Sequence, residues 1–297
     1  MCCTSGWPIP VERARVEAIE SAIANNVIPL RVEPWLTGAA NLPEDVGGTL
    51  ALRDNGHCVF FEAGGSGCAI HDVKPSSCAH FPFVCLFDQR GVHVNLSHYC
   101  PTSTSLLFES HGPIEIVEGP PPVPDIELLE GLDASEALPP VMPGASKRLM
   151  SLDELDAWQR DQVARARIDE LHADDAAAFD RARAAVPSPL SWPEAPEQLE
   201  SLWYSQVAPA WPHFESVLRR YAAAKAFASW SLYFGEGVGA AASTARLAHA
   251  VLRIECARQC RAFGRPLDRE LLSNAIQQSD LLLVHYADPE ALAPGVR

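Results

Sequence analysis

Nine cysteines offer the clearest chemistry in this sequence, and seven of them fall within its first hundred residues: Cys2, Cys3, Cys58, Cys68, Cys78, Cys85 and Cys100. The remaining two, Cys256 and Cys260, stand one helical turn apart near the other end. A disulfide framework suits a short exported chain, whereas clustered thiols in a reducing compartment more often ligate metal or take part in redox chemistry. The segment from Met1 to Pro10 has neither the basic region nor the apolar stretch of a cleaved export signal, so a cytoplasmic location is expected. Thiolate ligation follows as the leading chemistry. The candidate ligands Cys2, Cys3, Cys58, Cys68, Cys78 and Cys100 are widely spaced, with nine residues between Cys58 and Cys68 and nine between Cys68 and Cys78. A zinc ribbon would show two tight C-x2-C knuckles. An iron–sulfur cluster bridges its own ligands and tolerates wider spacing, and Cys100-Pro101 echoes the Cys-Pro that ends some ferredoxin runs. Burial of the same thiols as small hydrophobes is the competing reading.

These residues need elements to position them. Val11 to Asn25 has helical spacing, with Val16, Ile19 and Ile23 along one face, and residues 29–56 read as irregular, punctuated by prolines and by Gly47-Gly48. Residues 57–62 and 68–71 flank Gly64-Gly65-Ser66-Gly67 and predict a β-hairpin, in which His71 lies roughly across from Cys58. Pro75 suits the start of a short helix carrying Cys78, and Pro82 its end. Val92 to Leu96 alternates as a strand leading to Cys100.

The order of these motifs resembles the YkgJ-type cysteine-cluster family, whose domain is described as zinc- or iron-chelating. The resemblance rests on Cys2-Cys3, then Cys58, then Cys68-Ala-Ile-His71-x-x-Lys74-Pro75-x-x-Cys78-x-x-Phe81-Pro82, then Cys100, and it covers about residues 2–101. The family pattern has Tyr where His71 stands and Arg where Lys74 stands, and its first two cysteines would lie upstream of Met1. By position its ligands fall on Cys2, Cys3, Cys58, Cys68, Cys78 and Cys100. The family includes flagellin lysine N-methylases, so the resemblance also implies an S-adenosylmethionine-dependent protein-lysine N-methylase with a protein substrate as an alternative function. A structural zinc-binding interaction module is a further alternative.

The remainder of the chain reads as scaffold. Gly112 to Gly144 is proline-rich and predicts a crossover. Ser151-Leu152-Asp153-Glu154 is a capping-box pattern opening a helix to about His172, and Asp174 to Ala185 extends or repeats it. Phe214, Leu218, Tyr221, Phe227 and Trp230 fit one helix, Leu247, Val251 and Ile254 the next, and Leu271, Leu272, Leu282 and Leu283 a last one. Gly235-x-Gly237-x-Gly239 has methyltransferase-loop spacing, but what precedes it reads as helix, so a helix–helix turn is expected. Cys85, Cys256 and Cys260 are assigned to packing, while His80, His93 and His98 have weaker claims than His71 to be ligands.

The whole is expected to be α+β: a small cysteine-rich domain with a β-hairpin and short helices over residues 1–110, a crossover over 111–150, and an α-helical bundle over 151–297. A chain of 297 residues suits about two domains at ~150 residues each. Its formal net charge of −15 repels phosphate backbones and anionic lipid, which argues against a nucleic-acid or membrane partner. The function expected is binding of an iron–sulfur cluster, or of zinc or iron, by the N-terminal domain. No acid, base or nucleophile stands out, so no catalytic residue is assigned.

Overall fold

The computed structural model describes residues 2–28, 33–38, 44–62, 67–120, 131–142, 147–186 and 192–293. The architecture is mixed α+β and divides into two compact units. Residues up to Phe81 belong to the first, while residues 82–120 and the described residues from Gly131 onward belong to the second. The boundary expected at residue 110 therefore falls inside the second unit.

In the first unit, strand β1 (Pro10–Glu12) leads directly into helix α1 (Arg13–Ala24). The helix starts later than its periodicity suggests because Val11 and Glu12 are held in a sheet of order β1-β3-β2, with β2 at Leu36–Thr37 and β3 at Val46–Leu50. The expected irregular stretch thus contains two strands, and the Gly47-Gly48 pair lies within β3. A Cβ on Gly48 would stand 2.8 Å from both Leu36 Cγ and the Thr37 carbonyl, so close strand approach requires its bare backbone. Ile19 of α1 is fully buried against Val11, Trp35, Leu50, Val59, Phe60 and Ile70. The hairpin is present but short: β4 (Phe61–Glu62) pairs with β5 (Gly67–Cys68), matching Phe61 to Cys68. His71 instead opens a 3-10 turn, His71–Val73, and Cys58 bridges Leu52, so these two residues do not face each other across the hairpin. Helix α2 (Ser76–His80) follows, with its first amide, Ser76 N–H, donating to the Glu12 carboxylate at 3.1 Å.

The second unit opens with β6 (Phe83–Asp88) and β7 (Gly91–Leu96), an antiparallel hairpin, followed by α3 (Pro101–Glu109). The proline-rich stretch expected as a linker contributes β8 (Gly131–Asp133), which pairs in parallel with β6 and places Gly131 opposite Cys85. Next, β9 (Val141–Met142) pairs with β10 (Arg148–Leu149). Helix α4 (Leu152–Arg165) carries the expected capping box: Glu154 N–H donates to Ser151 Oγ, and Ser151 N–H donates to the Glu154 carboxylate. It stops at Arg165, short of the expected His172.

Helix α5 (Asp175–Ala184) packs on α8 below, and α6 (Leu199–Leu202) precedes α7 (Glu215–Ala226). The helix expected to continue to Trp230 breaks at Phe227, where the backbone becomes extended, and a 3-10 turn takes over at Trp230–Tyr233. Gly237, at φ +61°, caps the start of α8 (Val238–Phe263), and a Cβ there would lie 2.6 Å from the Val141 amide nitrogen. The glycine-rich segment is a helix start pressed against β9. Helix α9 (Arg269–Asp280), N-capped by Asp268, passes into a π-type segment at Leu281–Tyr286, and α10 (Pro289–Leu292) follows. Among the described residues, no helix is long and apolar enough to cross a membrane.

Helix α8 is the spine of this unit. One face joins Trp203, Leu218, Tyr221, Leu271 and Ile276 through Leu252 and Cys256, and another joins Phe179 and Leu282 through Val251 and Ile254. Arg253 on α8 clasps Asp175 at the start of α5 with two bonds of 2.5 and 2.6 Å, both side chains being almost fully buried. Removing one member of such a pair leaves an uncompensated charge in the core, at a cost of about 3–5 kcal/mol. Arg253→Met should therefore lose stability of that order in urea denaturation. Replacing Asp175 and Arg253 together by apolar residues should recover much of the loss.

Candidate metal centre

Four cysteines of the first unit, which come from separate segments, lie in or against one hydrophobic core. Cys3 sits in the 3-10 turn Cys2–Thr4, and its carbonyl accepts the Cys58 N–H at 2.8 Å. Cys58 is buried, and its own carbonyl accepts the Phe61 N–H, leading the chain into β4. Cys68 lies opposite Phe61 in β5. Cys78 lies in α2, whose start is fixed by Glu12. Cys58 is part of the hydrophobic cluster around Ile19, and Cys3, Cys68 and Cys78 pack on its margin. The last three remain partly exposed.

As a donor set these thiols suit a soft or borderline metal, because thiolate sulfur selects zinc and iron–sulfur clusters over hard cations. The side chain of Cys2 lies outside the described residues. Cys100 belongs to the second unit, where it is the N-cap residue of α3 and its carbonyl accepts the Thr104 N–H. Among the described residues, no group of three or more His, Cys, Asp or Glu side chains stands ready arranged around a metal position.

The other sulfur atoms are core components. Cys85 is buried in β6. Cys256 and Cys260 share one buried face of α8, where burial raises the Cys256 thiol well above its usual range and that of Cys260 to about 11. Thiols held in this way are poor nucleophiles and poor ligands.

The candidate histidines separate as well. His71 is exposed at its 3-10 turn, and His80 stands two residues beyond Cys78, a spacing that puts the two on different faces of α2. His93 Nε2 lies 3.0 Å from the buried Asp88 carboxylate, which also accepts from the Arg90 guanidinium and the Tyr233 hydroxyl. His98 belongs to a second buried centre.

That second centre was not visible in the sequence. Asp280 has no solvent exposure, yet the Lys225 ammonium at 2.7 Å, the Tyr221 hydroxyl at 2.9 Å and the His98 N–H at 2.6 Å all meet its carboxylate. Burial alone would raise its pKa, but the Lys225 charge and the His98 imidazole, whose Nδ1 lies 3.5 Å from the carboxylate, outweigh it and hold the carboxyl well below the usual range. The nearby Ser97 hydroxyl and His285 Nε2 lie 2.8 Å apart. Serine, histidine and aspartate thus occur close together, but Ser97 is fully buried and Asp280 is committed to other partners, so the group is a structural hub. Local spacing carried no signal of it, because its members lie in β7's exit, α7 and α9.

The chain matches no family model, no curated protein and no solved structure.

Burial lowers the pKa of both His285 and His249 from 6.5 to about 4, so in the folded state each remains neutral at pH values where the unfolded chain takes up a proton. Their contribution to stability is complete above pH 6.5 and is lost as pH falls through 6.5 toward 4, at up to about 3 kcal/mol for each. Unfolding free energies measured across this window should decline with acidity. His249→Gln and His285→Gln should each flatten that slope, whatever they do to stability at neutral pH.

Proposed function

We propose that the first unit is a thiolate metal-binding module, with Cys3, Cys58, Cys68 and Cys78 as the ligands at its centre and an iron–sulfur cluster, ahead of zinc or iron alone, as the bound species. The observation that supports this reading is that those four thiols, from a turn, a loop, a strand and a helix, lie in or against one hydrophobic core, although among the described residues they are not grouped around a metal position. The sequence resemblance supports it and adds Cys2 and Cys100 as further candidates. A bound cluster would supply electron transfer, and a bound zinc ion would supply cross-linking of the fold.

The chain's own part is to hold the sulfurs. The Cys3–Cys58 backbone bond joins the first turn to the loop before β4, the hairpin presents Cys68, and Glu12 anchors the helix bearing Cys78. Such a module requires a reducing compartment, consistent with a cytoplasmic protein. Because ligands gathered from four segments are close only in the folded chain, metal binding and folding of this unit are coupled. Methyl transfer has less support: the Gly235–Gly239 segment follows a 3-10 turn rather than the strand that a nucleotide-binding loop requires.

The test is anaerobic purification of the whole chain with assays of iron, zinc and acid-labile sulfide and a visible spectrum. Brown protein with matched iron and sulfide is the expected result, and colourless protein with about one zinc per chain would make the unit a zinc module instead. Cys68→Ser and Cys78→Ser should each lose most of the bound metal and melt at lower temperature. Full metal content and an unchanged Tm in either variant would overturn the assignment, and Cys100→Ser reads whether that thiol contributes.

A further inference from the structure

The second unit contains a pocket of about 130 Å3 bounded by β6, β7, the end of α7, the π-type segment and α10. Val84, Leu96, Phe227, Leu283 and Val284 give it apolar walls. Polar side chains reach it too, but their bonds are already made. Asn95 Nδ2 donates to the Ala224 carbonyl at 2.6 Å, and Thr244 Oγ1 donates to the Ala240 carbonyl at 3.0 Å. Trp230 Nε1 donates to the Cys85 carbonyl at 2.9 Å, and the Ser229 and Ser231 hydroxyls bond each other at 2.7 Å. Lys225 is matched by Asp280.

This inventory selects a ligand class. An anion or cation entering here would add a charge beside an ion pair that is already balanced, and an unmatched charge out of water is costly. An uncharged apolar molecule meets no such penalty and covers apolar wall. One of the Ser229 and Ser231 hydroxyls donates to the other, which leaves at most one hydroxyl hydrogen of the pair for an acceptor on a ligand. Two backbone features converge on the same wall. Ala228 holds φ +52°, a left-handed conformation strained for a residue with a side chain and concentrated at ligand and active sites. Leu283 and Val284 belong to the π-type segment, a feature that recurs where helices are adapted to function.

We propose that this pocket binds a small uncharged apolar molecule, about the size of benzene and bearing at most one hydrogen-bond acceptor. An engineered enclosed apolar cavity of about 150 Å3 takes up benzene; the volume here is of the same order, and the pocket is open to solvent on one side. The site lies wholly in the second unit and is independent of the metal assignment.

The test uses the full chain, titrated with benzene and, separately, with sodium benzoate. The readouts are the Trp230 indole N–H resonance, identified by its loss in Trp230→Phe, and the melting temperature. Benzene should shift the resonance saturably and raise Tm, whereas benzoate at equal concentration should do neither. Thr244→Leu and Leu292→Phe each fill the pocket, and each should weaken the benzene response at least tenfold. If one fails to fold, the other decides. Absence of a saturable benzene shift, or its survival in a folded filled variant, overturns the site. An equal response to benzoate overturns the uncharged class of ligand.

Discussion

A carboxylate removed from water must have its charge met by fixed partners, and Asp280 imposes that requirement on the second unit. Lys225 and Tyr221 reach it from α7, where a spacing of four residues puts both on one helical face. The His98 amide reaches it from the link between β7 and α3. The hairpin's exit, α7 and the end of α9 therefore have to assemble together, because any one of them missing leaves the ion short of a partner. The chain enters its π-type segment directly after Asp280, which brings His285 to the Ser97 hydroxyl and Leu283 and Val284 to the pocket wall.

The same device recurs. Asp88 ties the β6–β7 turn to Tyr233 through its own carboxylate and to Gln159 of α4 through Arg90. Asp175 ties α5 to α8. Glu255 is fully buried; Arg258 from the next turn of α8 and the Trp192 indole both donate to its Oε1, Oε2 has no hydrogen-bond partner among the described residues, and burial raises its pKa. These interior groups fix where elements meet, whereas exposed pairs such as Lys147 with Glu236 are solvated on both sides and contribute little.

The first unit works on a different principle. Its sheet strands are short and its core is centred on Ile19, Phe60 and Ile70, so it has less apolar surface to bury than the helical unit. Small domains commonly compensate with disulfides or a metal. The proposed thiolate site would serve this purpose, joining through sulfur the segments that short strands hold weakly. A cluster or zinc ion would then be part of the fold as well as of its chemistry.

What the sequence determined by itself was local. The Ser151–Glu154 capping box, the periodicity of α8 and α9, the proline-bounded helix around Cys78 and the existence of the hairpin all depend on residues within a few positions of one another. Six candidate cysteines could also be named from spacing and resemblance. Only the tertiary structure decided that Cys3, Cys58, Cys68 and Cys78 lie in or against one core, that Cys100 stands at the N-cap position of a helix in the other unit, and that buried carboxylates meet His93 at its ring and His98 at its backbone amide. It also turned Gly47-Gly48 from an expected turn into strand, because Leu36 and Val16 approach too closely for a side chain, and it drew part of a proline-rich crossover into parallel pairing with β6. The physical reason is common to all of these. A helix cap or an amphipathic face is set by neighbours along the chain, but a buried charge, a close backbone approach or a ligand set is set by residues that meet only when the chain has folded.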